Sequence, residues 1–98
     1  MKLRPVNDVA GVLCGYAFFC PGCDHVHVFF TAGDPTWNFD GDMLKPTFSP
    51  SLKNTTPDHP DPKQRCCHLN LVAGRIVYAA DCSHDLANQT ADLPDYPY

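Results

Sequence analysis

Cys20-Pro21-Gly22-Cys23 sets two thiols on one side of a tight turn, which is half of a tetrahedral metal site. Gly22 is expected to supply the backbone angle that turns both sulfurs toward one point. Further soft or borderline donors follow: His25 and His27, then Cys66, Cys67 and His68, then Cys82 and His84. Four are needed. Cys20 and Cys23 form the first pair. Cys67 and Cys82 are the expected second pair, with His84 and His27 as substitutes. The cofactor this implies is Zn2+ in a structural role. A redox reading of Cys-x-x-Cys needs a thioredoxin-like βαβ context, which this chain lacks. Cys14 reads as a small buried hydrophobe.

These donors must be positioned by short strands. Residues 11–19 are rich in strand formers and lead into the turn. His25-Val26-His27-Val28-Phe29-Phe30-Thr31 alternates, so that His25 and His27 share one face. The Cys turn therefore reads as the tip of a hairpin. Trp37-Asn38-Phe39 is a short aromatic strand closed by Asp40-Gly41. Pro46 and Pro50 forbid a helix over 45–52 and predict a stiff, extended edge segment. Residues 53–64 read as a polar surface loop in which His59 is exposed. Residues 66–82 form a hairpin about Ala73-Gly74, and any register near that turn returns Asp81 and Cys82 to the neighbourhood of Cys66, Cys67 and His68. Residues 85–98 read as a tail, with room for one helical turn at 84–88.

The fold class expected is mainly β: a small zinc-stabilised antiparallel sheet of hairpins with long loops and little helix, in one domain over 1–98. With 98 residues the core is thin and a metal is a natural supplement. Ten prolines and six glycines favour strands and loops, while 44% hydrophobic residues suit a folded domain. The net charge of −4 speaks against nonspecific nucleic-acid binding. No run has the length of a membrane span. Met1-Lys2-Leu3-Arg4 resembles the start of a signal peptide, but Pro5, Asn7 and Asp8 interrupt it, so a strand and a cytoplasmic location are expected. Reduced thiols there favour metal over disulfides.

Cys20-Pro21-Gly22-Cys23 with His27, Trp37 to Gly41, Pro46 to Ser51, Cys67-His68 and Asp81-Cys82-Ser83-His84 together resemble a family of small proteins from tailed phages and bacteria. Many members carry a misleading ammonia monooxygenase label. The family is related to the BubE serine peptidases of bacterial ubiquitin-like operons. The resemblance runs from about residue 18 to 94. It implies a zinc-containing serine peptidase that trims a ubiquitin-like precursor in the bacterial cell, with a phage-encoded origin open. The Asp81-to-His84 element belongs to the phage-type branch, and Asp24 stands where a glycine is usual.

A serine hydrolase needs a nucleophile, a base in reach of it, and a group that orients the base. Ser51 follows a proline on the stiff segment. His68 begins a strand, and Asp81 ends the partner strand. These are the expected catalytic residues, with Ser49 as rival nucleophile and His27 and His84 as rival bases. Backbone amides near Leu52 or the Cys turn would form the oxyanion hole. The partner is then a protein substrate. The alternative is a non-catalytic phage zinc module that binds and inhibits a host defence protein. A third reading makes the metal itself catalytic through an open position and a water.

Overall fold

A computed structural model describes residues 1–98. Eight strands form two antiparallel sheets. The first sheet has the order β1 (Arg4–Asn7), β2 (Leu13–Cys20), β3 (His25–Phe30). The second runs β4 (Asn38–Phe39), β5 (Phe48–Thr55), β6 (Cys66–Val72), β7 (Arg75–Tyr78), β8 (Thr90–Asp92). The mainly β expectation holds, and the sole helical piece is a 3-10 turn at Pro62–Gln64. No helix is long and apolar enough to cross a membrane.

Alternation sets which residues meet between the sheets. Phe18 of β2, Phe29 of β3 and Phe48 of β5 are buried. Phe29 stacks on Phe48 at 4.3 Å, and Phe48 on Phe39 at 4.6 Å, with planes 3° and 7° apart. This column ties β3 of one sheet to β4 and β5 of the other. Leu52, Leu69, Leu71 and Ile76 extend the same core. Truncating any of the central rings would cost about 3–5 kcal/mol, a large part of the roughly 5–15 kcal/mol that holds a domain folded.

Both predicted hairpins form. Cys20 pairs with His25 across the Cys turn. Val72 pairs with Arg75 around Ala73-Gly74. Ala73 (φ 48°) and Gly74 (φ 77°) are both left-handed, as the two-residue turn matching strand twist requires.

Three segments differ from expectation. The 45–52 segment is not an edge, because β5 lies between β4 and β6. Pro46 precedes β5, and Pro50 is tolerated because the β5–β6 register shifts between Phe48 and Leu52, leaving a bulge at Ser49-Pro50-Ser51. The 53–64 segment divides: residues 53–55 prolong β5, and only the remainder is loop and 3-10 turn. The 85–98 stretch is no free tail. Its β8 pairs with β7, and Leu93 is buried. Turns replace the helical turn at 84–88.

Candidate active site

The Cys turn, the start of β6 and the turn after β7 converge inside the molecule. Sγ of Cys20, Cys23 and Cys67 and a ring nitrogen of His84 all lie within 4.8 Å of one another, and all four residues are buried. No disulfide forms among them. The Cys20 and Cys67 sulfurs are 3.8 Å apart. A tetrahedral ion with metal–sulfur bonds of about 2.3 Å has ligand edges of about 3.8 Å, so this pair already has the spacing of coordinated thiolates. His84 Nε2 is buried without a hydrogen-bond partner, a state costly enough to call for a ligand. Three thiols and one imidazole suit a borderline or soft divalent cation, so the residues fit a metal ion.

The thiols are unequal. Hydrogen bonding from Cys23, then from Cys67, holds Cys20 far below the ordinary thiol range. The same bond to Cys20 pushes Cys23 up to about 12. Cys67 is raised by its hydrogen bonds to Cys20 and Cys23. The three thiols are thus linked through one set of hydrogen bonds, and a cation would displace the protons they hold. The Tyr78 hydroxyl lies 3.1 Å from Cys20 Sγ and accepts the Gly22 N–H at 3.2 Å, supporting the turn.

Gly22 is required for a reason other than its backbone angle. The left-handed residue of the turn is Asp24, at φ 57°, where its N–H donates to the Cys20 carbonyl at 2.8 Å. An aspartate tolerates that conformation. At Gly22 a Cβ would lie 2.4 Å from the His84 ring. The glycine makes room for the imidazole.

Cys82, expected as the fourth ligand, stands apart from the cluster. Its sulfur accepts the His68 N–H at 3.2 Å and donates to the His68 carbonyl at 3.1 Å. The cause is the turn after β7: Cys82 N–H closes on the Ala79 carbonyl, which sets Cys82 against the β6 backbone. Two residues later the His84 ring reaches over Gly22. Ser83 fixes this excursion, its hydroxyl accepting the Cys66 N–H at 2.8 Å.

On β5, β6 and the turn after β7, where Asp81 lies beyond the strand it was expected to end, a second constellation forms. Ser51 Oγ is 3.2 Å from His68 Nε2, and His68 Nδ1 is 3.0 Å from Asp81 Oδ1. With Asp81 ionised, Nδ1 carries the proton and donates to it, which leaves Nε2 to accept the Ser51 O–H. Lys53 lies directly across from His68 in the strand pair, two residues from Ser51, and its ammonium is 3.2 Å from Asp81 Oδ2. Lys53 and then His68 hold the Asp81 carboxyl below its usual range. The Trp37 indole N–H donates to the Ser51 carbonyl at 3.2 Å and anchors the bulge. The site is shallow: the Asp81 and Lys53 side chains are about half exposed, and His68 is 28% exposed.

The rival residues are engaged elsewhere. Ser49 is exposed and pairs with Asn38. His27 is bonded to Asn54, and His84 belongs to the cysteine cluster. His59 is half-buried, its Nδ1 accepting the Asp61 N–H. Lys53 and the anchoring role of Trp37 went unseen in the sequence. The signal for Lys53 was its period-two spacing from Ser51, which puts both side chains on one face of a strand.

The family model described as "Bacterial ubiquitination-like system serine protease (BubE)" matches residues 4–79. The matched stretch holds Cys20, Cys23, Ser51, Cys67 and His68 and stops before Asp81 and His84. Neither the curated proteins nor the solved structures contain a match.

Proposed function

From the chain's membership of the bacterial ubiquitination-like system serine protease family, to which it belongs by a match over most of its length, we propose that it is a zinc-stabilised serine peptidase. The observation that carries this reading is the continuous relay from Ser51 Oγ through the His68 ring to Asp81, at 3.2 and 3.0 Å. His68 Nε2 takes the Ser51 proton as Oγ attacks the scissile carbonyl. Asp81 keeps the proton of Nδ1 in place and stabilises the imidazolium that forms. His68 then returns the proton to the departing amine. A water activated by the same Nε2 hydrolyses the acyl-serine.

Backbone amides at or beside Leu52 are the proposed donors to the oxyanion. The β5 bulge turns Ser51 toward His68, and the Trp37 bond to the Ser51 carbonyl limits movement of that segment. Limiting that movement lowers the entropic cost of attack. The site lies open on a sheet face, which suits an extended protein segment better than an enclosed small molecule. The substrate we propose is the C-terminal extension of a ubiquitin-like protein.

Zn2+ held by Cys20, Cys23, Cys67 and His84 supplies structural cross-linking. Cys67 directly precedes His68, and His84 lies three residues beyond Asp81, so the same four side chains tether the base and its partner. A fluorophosphonate probe is expected to label Ser51 and to fail on Ser51→Ala. Absence of labelling, together with undiminished precursor cleavage by Ser51→Ala, would end this reading.

A further inference from the structure

His27 of β3 is not one of the four donors of the cysteine cluster, although its ring reaches the Cys20 thiol. It is only 5% exposed, its Nδ1 lies 2.9 Å from the Asn54 amide nitrogen, and its Nε2 is buried with no partner. A buried nitrogen in that state is costly and calls for a ligand. His25, two residues earlier on the same face, places its ring 4.8 Å away, edge to face. Ligand atoms of Cys23, His25 and His27 lie within 4.8 Å of one another. All three residues line one cleft of about 460 Å³, whose wall also includes Asn54, Thr55 and Gln64.

We propose that Cys23, His25 and His27 hold a second divalent transition-metal ion at the mouth of this cleft, with the Cys23 thiolate bridging it to the ion of the first cluster. His25 is already in a ligating tautomer. Its Nδ1 lies 3.1 Å from the Val26 carbonyl, so the proton sits there and Nε2 keeps a free lone pair. For His27, a half-turn of the Asn54 amide sets its oxygen against Nδ1–H and frees Nε2 for the metal. Such a turn exchanges two nearly indistinguishable groups. Cys23 is a thiolate once the first ion is bound, so the second ion displaces no further proton from sulfur. One tetrahedral position remains toward the cleft, open to water or to a carboxylate. The assignment depends on the first ion and is independent of the serine chemistry.

The test is metal stoichiometry of the full chain, equilibrated with micromolar free Zn2+ and read by native mass spectrometry. Wild type is expected to carry two ions and His25→Ala one. His25 is exposed, so its loss should leave the melting temperature set by the first ion in place. One ion on wild type at saturating Zn2+ overturns the proposal, and so does a second ion that survives in His25→Ala. Cobalt exchange tests the bridge. The second equivalent should shift the thiolate-to-cobalt absorption of the first, and bands that stay unchanged refute a shared Cys23.

Discussion

His84 and Cys82 are two residues apart, and their replacement by alanine should have separable effects. His84 offers one of four donors in the buried cluster, while Cys82 offers none and instead spans the His68 backbone. Structural zinc contributes about 10–16 kcal/mol to the folding of small metal domains, so one ligand in four accounts for roughly 2.5–4 kcal/mol. His84→Ala should therefore weaken zinc on the order of 100- to 1000-fold, since about 1.4 kcal/mol is tenfold. Against a total of about 5–15 kcal/mol for a domain, that loss brings the chain close to unfolding in the presence of a modest chelator. Cys82→Ala should leave zinc affinity unchanged. It removes two weak sulfur hydrogen bonds worth about 0.5–1.5 kcal/mol each at most, and the His68 carbonyl keeps the Ala79 N–H as its donor. The assay is competition for Zn2+ against a chromophoric chelator, alongside thermal melts of the same samples. If Cys82→Ala loses zinc while His84→Ala keeps it, the cluster has been assigned the wrong fourth donor and the geometry of the turn after β7 is refuted.

Other outcomes follow from the same geometry. Gly22→Ala should weaken zinc although alanine suits the backbone there, because its Cβ would meet the His84 ring at 2.4 Å; affinity equal to wild type would show that the ring moves freely. Asp81→Asn should lower the cleavage rate on the order of 1000- to 10000-fold by favouring the wrong His68 tautomer, with melting temperature nearly unchanged; a rate within tenfold of wild type would remove Asp81 from the relay. Lys53→Met should cost less than about tenfold, since its pair with Asp81 is half exposed and such pairs are worth at most about 1 kcal/mol, measured as kcat/KM on a precursor peptide. Burial lowers the His84 pKa in the metal-free protein. The unfolded chain then binds the proton more readily, so stability should fall as pH drops through about 6.5, the unfolded value. Thermal melts of chelated protein across that window check the sign, and His84→Gln should flatten the slope.

Much of the scaffold is local physics and could be read along the chain. Alternation at His25 to Phe30 and the Ala73-Gly74 turn depend on neighbours within a few residues, so both hairpins were predictable. The prolines at 46 and 50 correctly excluded a helix. They misled about the edge, because a bulge lets a central strand carry a residue with no N–H to donate. The stretch after residue 85 carried too little periodicity to announce β8, whose pairing depends on β7 being already in place.

The sequence by itself determined the donor types, the tight Cys turn and the hairpin that carries Cys67 and His68 back toward Asp81. Residue identity settles those, since thiols, turn residues and alternating apolar side chains act at short range. Only the tertiary structure decided that His84 and not Cys82 joins the three thiols, that Ser51 and not Ser49 faces His68, and that Lys53 bonds to Asp81. Each of these choices depends on where a turn or a bulge rotates the chain by one residue. In a strand that single step sends a side chain to the opposite face, and only packing between the two sheets selects which face is buried.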